Sequence, residues 1–359
     1  MINLSKNHEL IELSDRKRQL LLGAVESYIE NALPITSEKV QSNLFTSLSS
    51  ATLRNELSTL EELGYLKQLH TSSGRVPTTK AYRYFVNNLM ESKKFDKTLL
   101  NKVKDKFENR NMFLLDTIDG IARKIGEIVE YPVFVSMSGY EMLEIKAINV
   151  IPLITGQALV LIQTSDGIIN NTINLSKEVT EEHCKDASKF LTTNLMNRRL
   201  IDVINNFDYY NDKFKSQIKY FNDFFSQIIN VLNDYIEKGT SKVVKGNTSE
   251  LLEKTHIDDL SKAKKFLNLV ENEKEIKQAI EKIDENKDDD IVFSIGAENE
   301  NEDMADYSII KANYKLPSGI TAHFGVVGPE RMDYAKIASA LKFIVDEMNN
   351  LEGDENNEK

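Results

Sequence analysis

Between Ser49 and Arg75 the side chains have the types and spacing needed to read the edges of base pairs. Ser49 sits where a helix N-cap belongs, Thr52 follows three positions later, and Leu53, Leu57, Leu60 and Gly64 share one arc. The opposite arc carries Ala51, Asn55, Ser58 and Glu62, flanked by Thr52 and Arg54. Asparagine bonds adenine with two hydrogen bonds, arginine does the same with guanine, and alanine or threonine can touch a thymine methyl. After Gly64 the pattern changes to alternation, with Tyr65, Leu66, Leu69 and Val76 around the turn-forming Thr71-Ser72-Ser73-Gly74. This predicts a hairpin that presents His70, Ser72, Ser73, Gly74 and Arg75. Arg75 is expected along the phosphate backbone, His70 is either a phosphate donor or a structural residue, and Gly74 is expected at positive φ. A helix followed by such a hairpin is the order of a winged helix, in which the helix reads a groove and the wing grips the backbone. Leucine at helical spacing also serves a plain core, so from pattern alone both readings stand open.

The elements around this stretch can be read in turn. Residues 14–32 have the periodicity of an amphipathic helix with Leu21, Val25, Tyr28 and Ile29 on one face, Ser14 as its cap and Asp15 at its positive end. Asn31 to Pro34 breaks it, Thr36 or Ser37 caps a short second helix, and Ser50 follows the cap of the third. A helix from Thr78 carries Tyr82, Phe85, Val86 and Leu89 toward the head, and a highly charged helical linker follows. From Tyr131 the texture turns to strands, then to helices from Glu178, and back to strands from Ile291 before a closing helix from Pro329. Strands, helices and strands again predict an α+β domain interrupted by a helical insertion. Within the insertion one long helix is expected from Asp212 to Ile236. Its stripe of Phe214, Phe221, Phe225 and Ile228 suits a two-fold interface, although it also suits an internal core.

The 359 residues allow two or three domains, and 41% hydrophobic with 28% charged residues is the balance of a soluble globular protein. No apolar run approaches the roughly 18 residues of a membrane span, and no signal peptide is evident, so a cytoplasmic protein with no membrane partner is expected. The single cysteine rules out an internal disulfide. Net charge is −11, but residues 1–90 hold ten cationic and nine acidic side chains, leaving −12 for the remainder. The acidic excess therefore lies outside the proposed reading head.

Few residues point to catalysis. His183 and Cys184 are adjacent, but neighbours on a helix point about 100° apart, so a nucleophile–base pair is not expected. Neither CxxC nor HExxH occurs. Asp284, Asn286 and Asp288 begin like a calcium loop, yet Asp289 stands where such a loop needs glycine. Gly325 and Gly328 do not form a phosphate-binding loop. Arg331, Asp333 and Tyr334 read as a salt-bridged helix start. No enzyme activity, cofactor or metal is expected.

LSSATLRNELSTLEELGYL from Leu48 and HTSSGRVPTTKAYRYFV from His70 resemble the signature of the HrcA family of heat-inducible transcription repressors. SIGAENENEDMADYSII from Ser294 and FGVVGPERMDYAKIASAL from Phe324 resemble it as well. The likeness is strongest over residues 14–90 and 318–345. One departure is Ser50, where the family commonly has proline, which leaves the helix start less pre-organised. The resemblance implies a multidomain α+β protein. Its parts are a winged helix-turn-helix at residues 1–90, a helical linker at 91–110, a GAF-like domain from 111–176 with 257–359, and an inserted dimerisation domain at 177–256. It implies a homodimer on an inverted-repeat operator in double-stranded DNA upstream of chaperone genes, released on heat stress, with the chaperonin GroEL as a partner. The alternative is a small-molecule-responsive winged-helix regulator of a metabolic operon.

Overall fold

The computed structural model describes residues 13–43, 49–68, 74–88, 90, 114–154, 156–165, 167–218, 223–239, 242–244, 260–283, 291–299, 301–316 and 319–357. The expected linker at 91–110, together with His70, Ser72, Ser73, Leu89 and Phe221, lies outside them. The head comprises α1 (Asp15–Asn31), α2 (Ser37–Asn43), α3 (Ser50–Glu62), β1 (Leu66–Gln68), β2 (Arg75–Pro77) and α4 (Thr79–Asn88). Leu53, Leu57 and Leu60 of α3 are buried with Leu20, Leu21 and Val25 of α1 and with Tyr82, Phe85 and Val86 of α4. That is the arc expected from the leucine spacing. Ala32 ends α1 in the left-handed region at φ 55°, with its N–H on the Tyr28 carbonyl at 3.0 Å. Ser14 does not cap α1 through its side chain, whereas Thr36 does cap α2, accepting from the Lys39 N–H at 3.3 Å.

The end of α3 aims the chain into the wing. Gly64 has φ +78°; its N–H donates to the Glu61 carbonyl and the Tyr65 N–H to the Leu60 carbonyl, both at 2.9 Å. These two bonds satisfy carbonyls that a helix end otherwise leaves unpaired, and the left-handed residue they require favours glycine.

The body is a five-stranded antiparallel sheet in the order β7-β3-β10-β9-β8. Its strands are β3 (Val133–Ser138), β7 (Lys242–Val244), β8 (Ile291–Ile295), β9 (Tyr307–Lys315) and β10 (Thr321–Pro329). Helices α5 (Leu114–Val129) and α12 (Tyr334–Asn357) cover one face. On the other, Phe266, Ile276 and Ile280 from α10 (Leu260–Glu271) and α11 (Glu273–Lys282) pack on Phe134, Ile309 and Val327. This is the helix-covered α+β sheet expected for the GAF-like part.

The expected cut at residues 176/177 does not hold. Strands β4 (Ile145–Leu153), β5 (Gln157–Thr164) and β6 (Gly167–Asn174) form an antiparallel sheet of their own. Helix α6 (Glu181–Leu195) lies along β4, where Thr192 Oγ1 and Ser188 Oγ accept the N–H groups of Ile148 and Val150 at 2.9 and 2.8 Å. Cutting between β6 and α6 would strip that edge of partners for its backbone donors. The three strands and α6 pack together across that cut. At the far end of the expected insertion, β7 pairs with β3 in the large sheet.

The expected helix from Asp212 to Ile236 is two helices. After α7 (Leu200–Asn205), α8 (Phe207–Gln217) stops at Ile218, whose backbone is extended at φ −114° and ψ 120°, and α9 (Phe224–Gly239) follows. The aromatic stripe turns inward: Phe214 stacks on Phe224 with ring centroids 5.3 Å apart and meets Phe190 edge-on at 5.3 Å. Phe214, Phe225 and Ile228 are at most 1% exposed within a single chain, so they fill a core and offer no surface to a second copy. Large-to-small substitution at such a site costs about 3–5 kcal/mol. Phe214→Ala should therefore lower the urea midpoint of unfolding by a corresponding amount, while sedimentation of the folded variant in native buffer stays that of the wild type.

Candidate nucleic-acid interface

The α2–α3 corner is tied by hydroxyls. Ser49 Oγ accepts the Thr52 N–H at 3.1 Å, the cap that the spacing predicts, and shares a 2.9 Å bond with Thr52 Oγ1. Ser50 donates to Ser37 Oγ at 3.2 Å and so joins α3 to α2. Of the residues expected to meet DNA, Ser49, Ser50, Thr52 and Ser58 thus have internal bonds to keep. Arg54 and Asn55 project from the exposed arc beside Ala51, and neither has a side-chain partner among the described residues. The exposed side chains of this arc are thus a methyl, a guanidinium and a carboxamide, with the Glu62 carboxylate two turns further on.

Arg75 does not lie out along a backbone. It folds back onto α3, donating from Nε to Glu61 Oε2 at 2.7 Å and from Nη2 to Ser58 Oγ at 3.0 Å, with its side chain only 14% exposed. Its charge is spent inside the head, where it pins the wing to the helix. Gly74 is also corrected, for it is not among the positive-φ glycines. Its need is spatial, since a Cβ there would stand 2.7 Å from the Ile35 carbonyl oxygen. That close approach lets Ile35 and Arg75 pair as an antiparallel bridge, with N–H···O distances of 2.8 and 2.9 Å, which joins the wing to the α1–α2 turn. Other cations are also engaged: Arg16 and Lys17 share Glu56 at 3.7 and 3.2 Å, and Lys80 donates to the Leu63 carbonyl at 2.8 Å over the Tyr65 ring.

Behind this surface the head is seated on the body. Arg331, at the end of β10, donates from Nη1 to the carbonyls of Ile29 at 2.7 Å and Tyr28 at 3.4 Å in the last turn of α1. Arg83 of α4 forks onto Glu298 and donates to the Phe293 carbonyl at 2.8 Å. The Thr79 hydroxyl donates to Glu330. Burial pushes the Glu330 carboxyl above its ordinary range, against the opposing pull of the Thr79 bond and the Lys67 charge. Tyr82 of the head lies against Tyr334 of the body, ring centroids 5.7 Å apart. Burial drives both phenols well up, and that of the nearby Tyr131 to about 12. Arg331, Asp333 and Tyr334, read from the sequence as a helix start, therefore include a bond to the head that one-dimensional pattern did not reveal.

His183 and Cys184 take structural places. The His183 N–H donates to Thr180 Oγ1 at 3.4 Å and its Nδ1 accepts the Thr180 N–H at 3.2 Å, a reciprocal cap on α6. Cys184 is buried, and burial pushes its thiol up, away from the reactive thiolate. Among the described residues no His, Cys, Asp and Glu side chains gather as a metal site, and no helix is long and apolar enough to cross a membrane.

The Arg75 geometry has a measurable consequence. A lost phosphate contact lowers the salt slope of DNA binding by about 1, whereas a lost internal brace weakens binding without changing it. Arg75→Ala and Glu61→Ala should both reduce DNA affinity in titrations across several salt concentrations, with slopes parallel to the wild type. A shallower slope in Arg75→Ala alone would put Arg75 on phosphate.

Residues 115–338 match the family described as HrcA protein C terminal domain. A heat-inducible transcription repressor HrcA of Clostridium tetani (strain Massachusetts / E88) is 31% identical over 356 residues, covering 97% of this chain and 98% of the relative. One of the same name from Thermoanaerobacter sp. (strain X514) is 30% identical over 345 residues, covering 94% and 97%. The crystal structure of a hypothetical protein at 2.2 Å resolution shares the fold with a TM-score of 0.67 at 19% identity, over 94% of this chain and 98% of that one. The two relatives from Clostridium tetani and Thermoanaerobacter are repressors by name and lend nothing to the reading as an effector-gated metabolic regulator. The chain belongs to the HrcA family and is a heat-inducible transcription repressor.

Proposed function

We propose that this repressor silences chaperone operons in the cytoplasm by occupying an inverted-repeat operator as a homodimer, with one head in each half-site. The observation that carries the DNA contact is the exposed arc of α3, where Ala51, Arg54 and Asn55 stand out from a helix whose other face is buried. Arg54 and Asn55 supply base readout. Ser49, Thr52 and, outside the described residues, His70, Ser72 and Ser73 supply backbone contacts. With Arg75 neutralised by Glu61, nonspecific attraction is weak, so discrimination rests on few side chains. GroEL enters as the factor that returns heat-inactivated repressor to its binding form, by favouring the competent state through mass action.

Removing a base-reading side chain costs about 1–3 kcal/mol and relaxes specificity at that position. Footprinting and titration on the protein's own chaperone promoters should show Asn55→Ala losing preference for the operator over scrambled DNA at fixed salt. Intact discrimination in Asn55→Ala would sink the recognition-helix assignment. A wild-type protein that ignores those promoters would sink the operon assignment.

The two-fold contact belongs on the outer face of the β4–β6 sheet, in place of the buried phenylalanine stripe. Ile151 and Leu153 point outward from β4 and Ile168 from β6, each more than 40% exposed, with Ile154 fully exposed beside them. They stand among Asn149, Gln163, Asn170 and Thr172 on the same face, the mixed apolar and polar make-up of a non-obligate interface, and a symmetric pair matches an inverted repeat. The doubly substituted Ile151→Glu/Leu153→Glu protein should keep its circular dichroism and sediment as a monomer. A folded variant that remains dimeric would move the interface elsewhere.

A further inference from the structure

We infer that Arg83, Glu298, Glu330 and Arg331 are positioning residues for operator recognition: they clamp the back of the head to the body and so fix the direction in which α3 faces. The inference rests on the two-headed reading proposed above and goes beyond it to the device that orients each head.

Three separate contacts make the clamp, and all reach the head from behind. Arg331 offers its guanidinium to carbonyls in the last turn of α1, where the helix dipole favours a cation. Arg83 and Glu298 join α4 to the turn after β8 by a forked ion pair, the geometry that best defines orientation. Thr79 and Glu330 meet across the seam between them. The join is closed to within a methyl group. Gly296, at φ +54°, lies under it, and a Cβ there would fall 1.8 Å from Glu330 Oε1 and 2.9 Å from Thr79 Oγ1. The Tyr334 hydroxyl, bonded to the Glu330 carbonyl at 2.5 Å and to Ser308 Oγ at 2.9 Å, holds the Glu330 backbone in turn. Meanwhile Arg54 and Asn55 remain exposed, so the clamp orients the reading face without covering it.

Orientation matters because half-sites of an inverted repeat lie a helical turn apart, about 34–36 Å, or a multiple of that. A head attached only through a tether can bind one half-site, but the second head then finds its partner site at a reduced effective concentration. Clamped heads present both helices in phase. Full-site affinity therefore depends on the clamp, and half-site affinity does not.

The test uses the full-length protein and two duplexes, the complete inverted repeat and a single half-site, titrated by fluorescence anisotropy at one salt concentration. Arg83→Ala and Arg331→Ala should lower the full-site to half-site affinity ratio by about tenfold, a modest coupling between sites, and leave half-site affinity unchanged. Arg83→Glu combined with Glu298→Arg should recover the ratio. Amide exchange in the last turn of α1 should speed up in Arg331→Ala while exchange in α3 does not. A ratio equal to the wild type's in folded, dimeric variants overturns the clamp, as does a parallel loss on both duplexes. Equal wild-type affinity for the two duplexes would instead remove the two-headed reading, and the clamp's role with it.

Discussion

The reading helix is only as well aimed as the seam behind it. Glu330 is a carboxylate largely withdrawn from water at a junction between two folded units. Burial of an acid there is costly unless a donor meets it, and Thr79 is the donor. Around it Arg331 holds the end of α1 and Arg83 holds Glu298, so the head's first and last helices are both fixed to the body. The head's own core of Leu53, Leu57 and Leu60 sets the shape of the winged helix but says nothing of its attitude. Attitude comes from the seam, where the Tyr82–Tyr334 contact supplies burial and a handful of polar bonds supply direction, which hydrophobic burial alone lacks.

Charge inside the head follows an economy of internal pairing. Nine acidic side chains among ten cationic ones would be a poor design for a surface meant to attract phosphate. Two of those acids stand in internal pairs: Glu56 gathers Arg16 and Lys17 onto α3, and Glu61 gathers Arg75. These pairs brace helix to helix and wing to helix. Arg54 stands outside these pairs and is exposed.

Local signals were readable from the residues alone. The cap at Ser49, the arc of leucines, the glycine that ends α3 and the break before Pro34 are short-range matters of backbone dihedrals and hydrophobic period, and each stands where the sequence places it. Long-range pairing was not readable. Arg75 follows a turn and reads as a wing cation, and only the fold brings Glu61 and Ser58 to it. The phenylalanine stripe from Phe214 reads equally as interface or core, because burial depends on what lies opposite. Phe190 and Phe224 lie opposite. That β4 to β6 form a sheet of their own was hidden for a related reason: they look like the strands around them, and sheet membership is decided by partners remote in sequence. The Arg331 bond to α1 spans some three hundred residues and has no one-dimensional signature.

The small sheet of the insertion is finished at its margins by side chains. Hydroxyls of Ser188 and Thr192 occupy the open side of β4, and the Thr192 hydroxyl also donates back to the Ile148 carbonyl at 3.0 Å. At the last residue of β6, the Gln227 carboxamide accepts the Asn174 N–H at 2.9 Å and donates to its carbonyl at 3.0 Å, imitating a neighbouring strand. At these positions the edge groups already have partners, which leaves less of the ladder open to another strand, native or foreign. In the dimer proposed above, copies would stack face to face, where contact saturates at two, and not by edge-to-edge growth, which has no natural end.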